Sequence, residues 1–422
     1  MTISLINLGC KVNQYELQSI KSALTARGHT VSEDLTYADA YILNTCAVTG
    51  EAERKSRQYV TKALKSNPAA KIVVIGCAAE NNAENFEKKG AHYISGSAKK
   101  SKIADVVEAL YKGNGAVDFA KSAALSAKYE EMDFASTDRA RRFVKIQDGC
   151  DNFCSYCIIP ILRGNSRSRD ADGIIAEISA AAQKETVVIG INLSAYGFDT
   201  GTSLTELIIR LHEARPDLRL RLGSLEARVI DGDFLTALKA LKNFCPHFHL
   251  SLQSGDDRVL ADMNRRYDTQ FFMQKTRLIR EFFPNAAVTT DIIAGFPTES
   301  GEAFENTLKF AELAAFADIH IFPYSARQGT EAAKLKIMVA DDVIKERVKR
   351  LTALKHSLRE RYIDSFKGKI LNVLIEEKNS DGLFSGYSEN YIRIYAAGEL
   401  KIGEIYKVKL TDAHQDGAKG EI

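Results

Sequence analysis

Along residues 1–112 short apolar runs alternate with helical periodicities. TISLINL is followed by a helical pattern over 13–27, AYILN by one over 51–66, and KIVVIG by others near 80–88 and 101–111. That beat predicts a parallel sheet with crossover helices. It stops at 113–137, GNGAVDFAKSAALSAKYEEMDFAST, a run of small and polar residues that reads as a linker. From 142 it resumes with the strand candidates RFVKIQ, TVVIGI, LRLRLGS, HFHLSL, AAVTTDII and DIHIFP. Six strand–helix units in about 200 residues predict a barrel-like sheet that does not close at eight. Within it Leu218, Leu220 and Leu222 alternate with Arg219 and Arg221, and Phe248, Leu250 and Leu252 with His247, His249 and Ser251. Period-two alternation sends one set toward outer helices and the other toward the lumen, so a polar lumen suited to a polar ligand is expected. The alternative places these residues at exposed strand ends. Residues 339–362 form one amphipathic helix with Ile344, Val348, Leu351, Leu354, Leu358 and Tyr362 on a single face. Beyond Gly368, short strands with glycine turns predict a small β-barrel of a size that commonly binds nucleic acid. The expected fold class is α/β: an open parallel sheet over 1–112, a linker over 113–137, a partial (β/α)6 barrel over 138–365 and a small all-β barrel over 366–422.

The length of 422 residues agrees with about three domains. Lys plus Arg number 57 against 55 Asp plus Glu, so a nucleic-acid partner must be held by local basic patches rather than by a field of the whole chain. The first residues lack the charged leader and apolar run of a signal peptide, and no stretch approaches ~18 apolar residues. A cytoplasmic protein with no membrane contact is expected. Thiols stay reduced there, so its seven cysteines are better read as metal ligands or catalytic groups than as disulfides.

Cys150, Cys154 and Cys157 lie in GCDNFCSYCIIP, a C-x3-C-x2-C cluster just past RFVKIQ. A zinc site would want four protein ligands, and no fourth Cys or His follows nearby. A 4Fe-4S cluster held by three cysteines instead leaves one iron open to a substrate or cofactor. Cys10, Cys46 and Cys77 are too far apart for a compact motif, yet each directly follows a predicted strand. The carboxyl ends of neighbouring parallel strands form one crevice, so these three side chains are expected to converge into a second three-cysteine site, with Gly9 and Gly76 allowing close backbone approach. Three separately buried free cysteines are the alternative. Cys245 fits neither pattern and reads as structural.

The two cysteine triplets, followed by a terminal barrel, resemble the methylthiotransferase family of radical S-adenosylmethionine enzymes over essentially the whole chain. NLGCKVNQYE, ILNTCAVTGEAERKSRQ, HLSLQSGDDRVLADMNRRY, DIIAGFPTES and HIFPYSARQGT are most similar to the branch acting on threonylcarbamoyladenosine 37 of tRNA. The branches acting on isopentenyladenosine and on an aspartate of a ribosomal protein usually read GCQMNEYDS and GCPKN at the first cysteine. The resemblance implies insertion of a methylthio group at carbon 2 of the adenine in the tRNA anticodon loop. It implies two 4Fe-4S clusters, a radical one on Cys150, Cys154 and Cys157 and an auxiliary one on Cys10, Cys46 and Cys77. S-adenosylmethionine would be both radical source and methyl donor, and an external reductant such as flavodoxin or ferredoxin would supply electrons. Tyr156 matches an aromatic position near the cofactor adenine, and Gly190 and Asn192 the place where relatives bind the cofactor's amino group. Glu226, Gln253, Asp291 and Phe322 lie at or just past later strand ends, where a barrel sheet places ligand residues. GSLEARV departs from the family's serine pair and Ile-Glu-Pro there. A chain that binds RNA or carries electrons through iron–sulfur centres without turnover is the non-enzyme alternative.

Residues 139–169 carry seven Lys or Arg against two acidic residues, and 334–367 ten against five. Arg163, Arg167, Arg169, Arg265 and Arg266 are the candidate phosphate contacts. The terminal barrel resembles the TRAM domain, yet 366–422 holds eight basic and nine acidic residues. Stacking of loop bases on Tyr387 or Tyr391 is therefore expected in place of strong phosphate binding.

Overall fold

Both faces of the first sheet are buried, which explains why its strands read as continuous apolar runs. In the computed structural model, which describes residues 1–113, 119–120, 128–133, 137 and 139–422, six strands lie in the order β2-β1-β3-β4-β5-β6. They are β1 (Thr2–Asn7), β2 (Thr30–Ser32), β3 (Ala40–Thr45), β4 (Lys71–Gly76), β5 (Tyr93–Ser95) and β6 (Phe119–Ala120), and every pairing is parallel. Alternate residues feed two cores. Tyr41, Leu43, Ile72, Val74 and Ile94 pack into one, and Ile3, Leu5, Ile42, Val73, Ile75 and Tyr93 into the other. The helices Lys11–Ala26, Gly50–Ser66 and Ile103–Tyr111 stand where the periodicity predicts them. The expected linker falls largely outside the described residues. Within it the Phe119–Ala120 backbone pairs with β5, and the Tyr129 hydroxyl donates to the Lys145 carbonyl at 3.1 Å.

The chain divides into two compact units, one made of Met1–Thr137, Lys145–Asp170 and Ser325–Lys334, the other of Asp138–Val144, Ala171–Tyr324 and Leu335–Ile422. The first unit adds to the sheet a short antiparallel pair, β8 (Gln147–Asp148) with β9 (Arg167–Ser168). All six strands expected after residue 142 form. They are β7 (Arg141–Lys145), β10 (Glu185–Ile189), a third strand in two pieces, β11 (Arg219–Leu222) and β12 (Ser224–Leu225), then β13 (His247–Gln253), β14 (Ala287–Ala294) and β15 (Asp318–Pro323). The break is at Gly223, whose N–H donates to the Val188 carbonyl at 2.8 Å. A Cβ there would lie 3.0 Å from that same oxygen. The bend separates a β11-β10-β7 sheet from a β12-β13-β14-β15 sheet, so the barrel stays partial. Five further strands, β16 (Ile370–Lys378), β17 (Phe384–Ser388), β18 (Arg393–Ala396), β19 (Ile405–His414) and β20 (Gly417–Glu421), close the terminal barrel around Val373, Ile375, Ile394, Val408 and Leu410.

The alternation of Arg219 and Arg221 with leucines is as expected, but these arginines serve the protein itself. Both are buried. Arg219 donates to the carbonyls of Asn372 and Tyr387 at 2.8 Å, and Arg221 to those of Ser388 at 2.9 Å and Glu389 at 3.2 Å. They share one carboxylate, Glu185, which is 0% exposed in its side chain. Burial alone would raise that carboxyl; Arg221, Arg219 and Arg141 instead bring it from an ordinary 4.5 to about 2. The polar strand face is thus what fastens the terminal barrel.

A carboxyl lowered this far contributes stability that is full above pH ~4.5 and lost as pH falls toward 2, about 3 kcal/mol in all. Glu185→Gln leaves two buried guanidinium groups without a counter-charge and should cost roughly 3–5 kcal/mol at pH 7. In denaturant titrations across pH 7 to 2, the gap between wild type and Glu185→Gln should narrow as the pH falls. A constant gap would show that Glu185 does not carry the charge pairing.

Candidate functional site

In the order β2-β1-β3-β4, chain connections leave β1 and β3 in opposite directions, and the crevice at such a reversal is where parallel sheets bind ligands. Cys10 follows β1 as the cap of helix Lys11–Ala26, Cys46 follows β3, and Cys77 follows β4 as the first residue of helix Cys77–Asn81. Cys10 is exposed, Cys46 half-buried and Cys77 buried, so the group opens outward. Burial pushes the Cys46 thiol up to about 11; an N–H from Val48 opposes this, while the neighbouring Cys77 and Cys10 add to it. The glycines admit two asparagines. Gly76 has φ +97°, and a Cβ on it would come within 2.5 Å of Asn44 Oδ1 and 2.6 Å of the Thr45 carbonyl; one on Gly9 would strike Asn13 at 2.5 Å. Asn13 Nδ2 donates to Asn44 Oδ1 at 2.7 Å, and the Cys10 thiol donates to Asn13 Oδ1 at 3.2 Å.

Behind the thiols lies a buried ion cluster. Arg163 donates from Nε to Cys77 Sγ at 3.4 Å. One of its terminal nitrogens reaches Asp148 at 2.9 Å and Glu16 at 3.1 Å, and the other Asn13 Oδ1 at 3.3 Å. Lys145 bonds Glu16 at 3.0 Å and Asp148 at 2.6 Å, and Lys100 pairs with Glu16. Burial would raise both carboxyls, but the lysines and Arg163 hold Glu16 and Asp148 well below the usual range.

Cys150, Cys154 and Cys157 occupy the loop between β8 and helix Ile159–Arg163. The loop is closed at its neck. Gly149 has φ +73°, and a Cβ on it would fall 1.9 Å from the Asn165 carbonyl. Cys150 N–H donates to the Gly164 carbonyl at 3.0 Å, Cys157 N–H to that of Cys154 at 2.9 Å, and Ala332 N–H to that of Ser155 at 2.7 Å. Cys154 is buried, Cys150 and Cys157 half-buried. Tyr156 is half-buried beside them, and Phe153 is exposed.

In the second unit, Gly190 and Asn192 follow β10, and Glu226 follows β12 with an ion pair to Arg228 at 2.8 Å. Gln253 ends β13 with φ +77°, and Phe322 is exposed on β15. Asp291 on β14 is flanked by two histidines. Its carboxylate accepts from His249 at 3.1 Å and His320 at 3.2 Å. Burial opposes its ionisation, but the two histidines hold it well below the usual range. His320 is not singled out by the motifs, and its alternation with Ile319 and Ile321 is the sequence signal for it.

Three of the expected phosphate contacts are corrected. Arg163 is 1% exposed, Arg169 2% and Arg167 9%. Arg169 bonds Glu131 at 2.9 Å and the Tyr15 hydroxyl at 3.2 Å, and Arg167 the carbonyls of Arg163 and Asn165. Arg265 is held by the Ser251 carbonyl and the Tyr267 hydroxyl, whereas Arg266 is exposed. Tyr391 is half-buried, its ring stacking on His247 at 3.9 Å and on Tyr387 at 4.8 Å. Tyr387, under Arg141, lines a cavity of about 510 Å3 with Arg139 and Arg393. Cys245 is buried 4.0 Å from Glu185, and burial pushes its thiol up to about 11.

Residues 2–96 match the model described as uncharacterized protein family UPF0004, residues 144–311 the radical SAM superfamily, and residues 364–422 the TRAM domain. The chain is 35% identical to the threonylcarbamoyladenosine tRNA methylthiotransferase MtaB of Bacillus subtilis, covering 98% of this chain and 94% of the relative. It is 34% identical to the MtaB of Thermotoga maritima over 99% and 96%. The chain belongs to the tRNA methylthiotransferase family. A relative in Thermodesulfovibrio yellowstonii, a tRNA-2-methylthio-N(6)-dimethylallyladenosine synthase, is 32% identical to this methylthiotransferase over 98% and 97%. Among solved structures, the radical S-adenosylmethionine methyltransferase TsrM of Kitasatospora setae matches it with a TM-score of 0.58, 14% identity and coverage of 79% and 77%. That likeness concerns the fold alone.

The methylthiotransferase offers a matched pair of glycines for testing the cysteine crevice. Gly28 and Gly76 both have positive φ, but a Cβ on Gly28 meets nothing within 4 Å. Gly28→Ala should cost about 1 kcal/mol through its backbone alone. Gly76→Ala adds the collision with Asn44 and Thr45 and should cost at least ~2 kcal/mol more. Equal losses of stability in thermal melts would remove the close-approach role of Gly76.

Proposed function

We propose that the chain methylthiolates carbon 2 of N6-threonylcarbamoyladenosine at position 37 of tRNA, using S-adenosylmethionine and two 4Fe-4S clusters. The observation that carries this reading is the pair of three-cysteine sites in one compact unit, one at a sheet reversal and one in a closed loop. The donor sets suit clusters. Each offers three thiols, and the Arg163 guanidinium already donates to a sulfur of the first set, a contact that suits a thiolate. Cys10, Cys46 and Cys77 would hold the auxiliary cluster and Cys150, Cys154 and Cys157 the radical one.

When bound, the clusters and S-adenosylmethionine supply the electron, radical and sulfur that an unactivated C–H bond requires. The chain's own task is to place them. Gly149 and the Cys150–Gly164 bond set the loop's shape, and Tyr156 beside the thiols is assigned to the cofactor adenine. Gly190, Asn192, Glu226, Gln253, Asp291 and Phe322 remain the cofactor candidates of the second unit. For tRNA, the exposed Arg266, together with Tyr387 and the cavity it shares with Arg139 and Arg393, takes the place of the buried arginines. Among the described residues no helix is long and apolar enough to cross a membrane. A cytoplasmic setting with a flavodoxin- or ferredoxin-type reductant completes the reading.

Threonylcarbamoyladenosine is favoured over the dimethylallyl substrate by GCKVNQYE and CAVTGEAERKSRQ and by the order of the relatives' identities, 35% and 34% against 32%. The anaerobically reconstituted protein should carry about eight irons. Cys154→Ala should reduce cleavage of S-adenosylmethionine to background, whereas Cys46→Ala should cleave it and transfer no sulfur. Nucleoside mass spectrometry of tRNA from cells lacking the gene should show methylthio-threonylcarbamoyladenosine gone and its unmodified precursor raised. Loss of the dimethylallyl product in its place would move the substrate assignment to that branch.

A further inference from the structure

Among the described residues, the buried ion cluster beneath Cys77 holds more basic side chains than carboxylates. Glu16 and Asp148 face three basic side chains, Lys100, Lys145 and Arg163, all no more than 7% exposed; burial lowers the Lys100 ammonium and the Glu16 carboxylate opposes that shift. Arg167, 4.0 Å from Asp148, adds a further cation at the edge. Uncompensated charge is costly inside a protein, so a cluster rich in bases favours a further anion within reach. Arg163 points to where it lies. One nitrogen of the guanidinium is spent on the two carboxylates and another on Asn13, while Nε is directed at Cys77 Sγ. Three thiolates on a dicationic iron–sulfur core carry one net negative charge, and local charge and hydrogen bonds to sulfur are what set a cluster's reduction potential.

We propose that Arg163 is the counter-charge and positioning residue of the auxiliary site: its guanidinium neutralises a cluster on Cys10, Cys46 and Cys77 and sets the potential at which that cluster takes up an electron. The inference rests on the cluster reading given above. Arg163 ends the helix that begins two residues after Cys157, and its carbonyl accepts from Arg167 at 2.9 Å. The segment that supplies the radical thiols therefore also supplies the cation for the auxiliary ones. Removing Arg163 leaves two basic side chains against two carboxylates, so Arg163→Gln should fold. Glu16→Gln shifts the balance the other way and adds one positive charge.

The test is an EPR-monitored redox titration in a chain where Cys150, Cys154 and Cys157 are all replaced by Ala, leaving only the auxiliary triplet. This parent should bind about four irons. Arg163→Gln should move the potential to more negative values, Glu16→Gln to more positive ones, and Arg163→Lys, which keeps the charge, should stay near the parent. A purely structural role would not give shifts of opposite sign. Should Arg163→Gln fail to fold, Glu16→Gln and Arg163→Lys decide the matter on their own. A parent that binds no iron overturns the cluster reading and this inference with it. Four bound irons with a potential that Glu16→Gln leaves unmoved, or shifts downward, overturn the inference alone.

Discussion

A guanidinium that is 1% exposed must have its charge answered inside the protein, since the desolvation penalty is several kcal/mol per ion. For Arg163 the answers come from distant parts of the chain. Glu16 lies 147 residues away on the first helix, Asp148 lies 15 residues away on β8, and Cys77 lies 86 residues away past β4. Lys100 and Lys145 tie two further segments to the same carboxylates. These bonds fix the segment carrying Cys150, Cys154 and Cys157 against the sheet that carries Cys10, Cys46 and Cys77, all within one compact unit. The placement of six thiols thus depends on one buried set of charges.

The second unit meets the same problem with different partners. Arg219 and Arg221 share the single carboxylate of Glu185, with Arg141 3.9 Å from it. Here the excess donors end on backbone carbonyls of the terminal barrel. A carbonyl accepts a hydrogen bond but carries no charge, so this arrangement fastens two layers together and attracts no anion. In the first unit the remaining donor ends on a cysteine sulfur, which becomes an anion when it binds metal. The two clusters are alike in their burial and their arginines; the acceptor that receives the surplus separates a structural role from a functional one.

This difference explains what the sequence discloses. The strands, the crossover helices and the position of each cysteine after a strand follow from local periodicity and chain order, and the structure has them. The alternation in LRLRLGS correctly separates two strand faces, but periodicity carries no information about what covers a face, and a ligand lumen was expected where the terminal barrel docks. The basic stretch 139–169 misleads for a related reason. A count along the chain cannot see that Arg142 is answered by Glu177, Arg169 by Glu131 and Arg163 by Glu16. Each of those carboxylates lies outside the stretch, so its net charge of +5 is mostly consumed within the fold. Strand position alone points to Asp291, and only the parallel pairing of β13, β14 and β15 reveals the two histidines that flank it. The split of the third strand at Gly223 was equally hidden, because a single glycine inside an apolar run signals a possible bend without saying which strand's carbonyl it meets.

Putting a ligand loop and a buried cation on one short segment constrains how the site is assembled. Cys157 and Arg163 are six residues apart, joined by a single turn of helix, so neither can be placed without the other. If segment 145–170 is undocked, Glu16 faces Lys100 alone and Cys77 loses its donor, while the loop thiols lose the sheet against which they are held. Docking restores all of these contacts together, because Arg163 bonds Glu16, Asp148 and Cys77 with one planar group. A lysine at this place could carry the charge but not three divergent bonds in one plane. Geometry therefore favours arginine at position 163 for docking the segment, while the charge beside Cys77 is one that either residue supplies.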